Sequence, residues 1–139
     1  MFSGEDINIF KNLLFAIFLI LPITANSHSP LASSSPQNGE TLNAPPTEII
    51  MVFKLPAKLI KVNLTKLADK QEKRLLGGLF GGGDGELVTL GTSFLMNIGV
   101  RQMIPLPSLA IGDYSLDWRA MGEDGHVIKG GLTFKITGG

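Results

Sequence analysis

From Tyr114 to Ala120 the chain alternates without a break. Tyr114, Leu116, Trp118 and Ala120 are separated by Ser115, Asp117 and Arg119. Successive side chains of a strand point to opposite faces, so this pattern predicts a strand with one face on a core and the other in water. Val127 to Thr137 repeats it with Leu132, Phe134 and Ile136 inward, and Gly122 to Gly125 reads as the turn between the two. Upstream, Ile49 to Phe53 is continuously apolar, as a buried strand would be, and Pro56 is expected to end it. Leu59 to Leu67 sets Ile60, Val62, Leu64 and Lys66 on the more apolar face against Leu59, Lys61, Asn63, Thr65 and Leu67. Leu87 to Leu90 and Phe94 to Ile104 predict further strands. Pro36, Asn38-Gly39 and Pro45-Pro46 mark turns, because proline fixes φ and glycine admits positive φ. No segment has a helical period. About seven short strands in roughly 110 residues predict an all-β fold, a two-sheet antiparallel β-sandwich with Greek-key connections.

Residues 13–25, LLFAIFLILPITA, do not fit that scheme. The run is too short for a bilayer span of about 20 residues, but it suits the apolar centre of a signal peptide. Ala25-Asn26-Ser27 supplies small residues before a cut after Ser27. Two parts are therefore expected: a signal peptide over 1–27 and a mature domain over 28–139 that starts at His28. Lys11 is offset by Glu5 and Asp6, so the positive start of the leader is weak, and an uncleaved membrane tether is the rival reading.

Charge narrows the list of partners. Twelve basic and twelve acidic residues argue against a nucleic-acid or anionic-membrane binder, which needs a basic surplus. The lysines between Lys54 and Arg74 are broken by Asp69 and Glu72 and read as a solvated strand face and loop. With no cysteine, a disulfide framework, a thiolate metal site and a cysteine nucleophile are excluded. The stretch from Gly77 to Glu86, GGLFGGGDGE, lacks the Lys-Ser/Thr ending of a phosphate loop and is expected to be a flexible connection.

The chain has two histidines, His28 and His126. Asp124 and His126 are two apart, so a locally extended turn points both the same way. A mature N-terminal His28 would add a free amine and its own Nδ1, which close a six-membered chelate on one ion. Both deprotonate at modest cost near neutral pH. Three nitrogens and one oxygen in a tetragonal set suit Cu(II), with tetrahedral zinc as the competitor.

The order of these features resembles the CopC family of periplasmic copper-binding, copper-resistance proteins. The residues that carry the resemblance are the leader followed at once by HSPLASSSPQNGETLNAPPTEI, and then LPSLAIGDYSLDWRAMGEDGHVIKGGLTFKI. The resemblance implies a cupredoxin-like or immunoglobulin-like β-sandwich in the periplasm. It implies one Cu(II) per chain held by His28, Asp124 and His126, no catalytic residues, a monomer, and a CopD-type inner-membrane partner. Two departures are visible. Leu55 stands near the place where some relatives carry a glutamate ligand, and Met51, Met96, Met103 and Met121 are dispersed rather than gathered in a Cu(I)-binding loop. Two other functions compete with a copper carrier. A copper oxygenase built on an N-terminal histidine brace would show oxygen-dependent turnover of a polysaccharide. A secreted interaction module without retained copper function would fail to hold the metal.

Overall fold

The computed structural model describes residues 29–69 and 85–138. Among these residues are seven strands: β1 (Leu31–Ser35), β2 (Glu40–Leu42), β3 (Glu48–Leu67), β4 (Gly85–Val88), β5 (Ile98–Pro105), β6 (Gly112–Gly122) and β7 (Val127–Ile136). The described residues contain no helix. β3 is the spine: its first half lies between β1 and β5, and its second half between β4 and β6. β7 and then β2 extend the second group. One long strand thus runs through a three-stranded layer and a five-stranded layer, which enclose a shared core. This is the β-sandwich expected from the alternation.

One pairing is not antiparallel. β2 runs parallel to β7, pairing Glu40 with Phe134 and Leu42 with Ile136. The chain leaves β1 in one layer and reaches the far edge of the other already running in the direction of β7. Asn38 fixes that arrival, its Oδ1 accepting the Thr133 N–H at 2.9 Å.

Three expectations for β3 and β5 are corrected. Pro56 does not end a strand; β3 continues to Leu67. The β3–β5 register jumps between Val52 and Ala57, and Leu55 and Pro56 have no strand partner, so the missing N–H of proline costs no ladder bond. Ile60 is not on the core face. The β3–β6 register shifts between Leu59 and Lys61, making Ile60 the extra residue of a bulge. That bulge resets the alternation, so Ala57 and Leu59 are buried before it and Leu64 after it. Phe94 lies in the turn before β5, and its side chain is buried against the core. Its apolarity marks a plug, not a strand.

Ile49, Met51 and Phe53 of β3 share the core with Tyr114, Leu116, Trp118, Leu132, Phe134 and Ile136. Phe53 meets Trp118 edge to face at 5.2 Å, a geometry that favours the ring quadrupoles. Tyr114 and Phe134 are direct cross-strand partners with stacked rings 5.3 Å apart. The Tyr114 hydroxyl donates to the Ala110 carbonyl at 2.8 Å, a tyrosine corner that ties the approach to β6 onto the strand itself. Gly130 faces Trp118 across the β6–β7 ladder, where a Cβ would come within 2.5 Å of the indole.

Candidate metal centre

The β6–β7 hairpin is closed by Gly122 and His126. The Gly122 N–H donates to the His126 carbonyl at 3.0 Å, and the Gly125 N–H to the Gly122 carbonyl at 3.0 Å. A three-residue loop of this kind needs a left-handed residue at its end, and Gly125 supplies it with φ of 80°. Gly122 makes room for the carboxylate, since a Cβ there would sit 3.0 Å from Asp124 Oδ1.

Within this loop Asp124 holds His126 at two points. Oδ1 accepts the His126 backbone N–H at 3.0 Å, and Oδ2 lies 2.9 Å from Nδ1. Both side chains face water, His126 being 84% and Asp124 68% exposed. The backbone N–H of His126, and then its ring, hold the Asp124 carboxyl below its ordinary range, so it stays an anion into acid. The pair brings a carboxylate oxygen and an imidazole together in a hydrogen-bonded contact, donor types that suit Cu(II) or zinc. The hairpin thus presents a carboxylate and an imidazole side by side, both open to solvent.

His28 lies outside the described residues, as does the leader. Among the described residues, no three His, Cys, Asp or Glu side chains converge. The chain leading to His28 is nonetheless placed. The Lys54 N–H donates to the Pro30 carbonyl at 3.0 Å, which pins the start of β1 beside the unpaired stretch of β3. Three residues further along β3, Ala57 pairs with Gly122 at the base of the hairpin.

The sequence reading missed Gln102, a support for this end of the sandwich. Among the described residues it is the one buried polar residue, and its Nε2 donates to the carbonyls of Ala57, Asn97 and Gly99 at 2.8, 2.9 and 3.2 Å. It fastens the β3 corner to β5 where the register breaks. A lone Gln in an apolar strand was the available signal. Leu55 is exposed in that same corner and offers no ligand, while Met51 is in the core. Met96 and Met103 are exposed and Met121 is half-buried.

The CopC domain model matches residues 31–137. Copper resistance protein C of Pseudomonas syringae pv. tomato is 28% identical over 130 residues, covering 88% of this chain and 91% of its own. PcoC, a copper resistance protein from Escherichia coli, superposes with a TM-score of 0.57 at 26% identity, over 78% of this chain and 100% of PcoC. CopC from Methylosinus trichosporium OB3b gives a TM-score of 0.55 at 22% identity, over 80% of this chain and 95% of that one, a likeness of fold. The chain belongs to the CopC domain family.

Proposed function

We propose that this protein is a periplasmic copper(II)-binding protein of copper homeostasis, which carries one Cu(II) per chain and passes it to a CopD-type membrane partner. The ion would be held by the amine and imidazole of His28, a carboxylate oxygen of Asp124 and a ring nitrogen of His126. Cleavage after Ser27 frees the amine. The protein works as a monomeric carrier, with the metal as cargo and no catalysis.

The observation that carries this reading is the placement of Pro30. It is bonded to Lys54, three residues from the β3 position paired with the hairpin base. His28 is two residues before Pro30, a reach of about 7 Å. Three extended residues of β3 span at most about 11 Å. The chain thus runs back from β1 towards the β3 position paired with the hairpin base, which supports a shared site for the two halves of the ligand set. The donor chemistry also suits Cu(II), which heads the divalent affinity order for nitrogen and oxygen sites.

The test compares Cu(II) titrations of protein beginning at His28 with protein beginning at Ser27, against the same competing chelator at the same pH. The extra residue turns the amine into an amide and removes the chelate ring. Affinity should fall by at least the roughly 10–100-fold lost when groups that only orient metal ligands are removed. Equal affinities would rule the amine out as a ligand.

A further inference from the structure

On the outer face of the five-stranded layer the register places Lys61 opposite Arg119, and Arg119 opposite Lys129. Three cations thus stand abreast on β3, β6 and β7, with adjacent strands about 4.8 Å apart. Like charges directly opposite each other on a sheet are destabilising, so the free protein carries a repulsion that its fold does not need. In the next row, Asp117 lies between Asn63 and Gly131. Among the described residues, none of the three cations forms an ion pair or a side-chain hydrogen bond; the one close acid–base contact is in the hairpin. These side chains wall an open trough of about 460 Å³ lined by Lys61, Asn63, Asp117, Trp118, Arg119 and Lys129. Gly131 places no side chain in the row of Asp117, which leaves the trough clear beside Lys129.

We propose that this trough docks an acidic segment of a partner protein, with its carboxylates facing Lys61, Arg119 and Lys129. Charge complementarity selects the class of occupant. A membrane surface calls for a basic surplus, whereas the chain has twelve basic and twelve acidic residues, and this site is concave and includes Asp117 and Asn63. An inorganic anion would engage the cations yet leave most of the volume empty. An extended peptide fills the length, with carboxylates over the cationic row and its backbone N–H groups available to Asp117 and Asn63. Lys129 is three residues from His126, so a docked segment would lie alongside the hairpin. The proposal does not depend on copper, and its test uses metal-free protein.

The probe is a hexaglutamate peptide followed by amide NMR. Signals of Lys61, Arg119, Lys129, Gly130 and Gly131 should shift on titration, and affinity should fall as salt is raised. Binding should be about tenfold weaker in the double variant Arg119→Gln, Lys129→Gln, as loss of two exposed charge contacts implies. That variant should unfold at no lower temperature than the parent, because it relieves repulsion. Lys61→Gln provides a second, milder test of the same row. Absence of shifts at these amides would overturn the proposal. So would inorganic phosphate giving the same shifts at matched charge with no advantage to the peptide, which would mean a small-anion site. Tighter binding to phosphatidylglycerol vesicles than to the peptide would overturn it in favour of a membrane surface.

Discussion

Asp124 uses one carboxylate oxygen to hold the backbone of His126 and the other to hold its ring, at 3.0 and 2.9 Å. The two oxygens have separable tasks. The first shapes the loop, and the second presents an anion beside an imidazole nitrogen.

Asp124→Asn separates them. The amide oxygen still accepts the His126 N–H, so the loop should keep its form and stability should change by less than about 0.5 kcal/mol. The charge and one ligand quality are lost, so Cu(II) affinity should drop roughly 10–100-fold or more. A chelator competition and a thermal melt check both halves. Unchanged affinity would remove Asp124 from the ligand set.

Gln102→Leu should destabilise the protein by about 1–3 kcal/mol, because three carbonyls lose a shared buried donor. The hairpin itself is untouched. Denaturant unfolding should therefore show the loss clearly, while Cu(II) affinity of the folded protein stays near that of the parent. Unaltered stability would mean that water or the backbone replaces the Gln102 amide at no cost.

Tyr114 gives a pH signature. Burial pushes its phenol above the ordinary value of 10.0, and the charge of Glu86 adds to the effect. Between the unfolded and folded values, the unfolded chain has lost a proton that the folded one keeps. The unfolded state then binds fewer protons, so stability must fall as pH rises from about 10, and is unaffected by this group below that. Tyr114 is the only tyrosine in the chain, so phenolate absorbance reports it directly. Tyr114→Phe should flatten the alkaline fall in unfolding free energy relative to the parent. An equal slope in both proteins would show that the phenol titrates normally.

The chain's own alternation determined much of this molecule. Tyr114 to Ala120 and Leu132 to Ile136 show their inward faces plainly, because a regular strand with one wet face must repeat every two residues. Asp124 and His126 were legible for a similar reason: Gly-Glu-Asp-Gly-His carries a turn and two donors within one local segment. Non-local facts were hidden. The bulge at Ile60 and the passage of β3 through Pro56 depend on which strands lie alongside, and no residue of β3 encodes its neighbours. Phe94 looked like a strand residue because burial, not backbone form, sets its apolarity. The pinning of Pro30 beside Lys54 and the alignment of Lys61 with Arg119 and Lys129 join residues far apart in sequence. In the linear text those cations are an ordinary solvated run and two scattered charges. Only the tertiary register, which the packing of the whole core fixes, makes them neighbours.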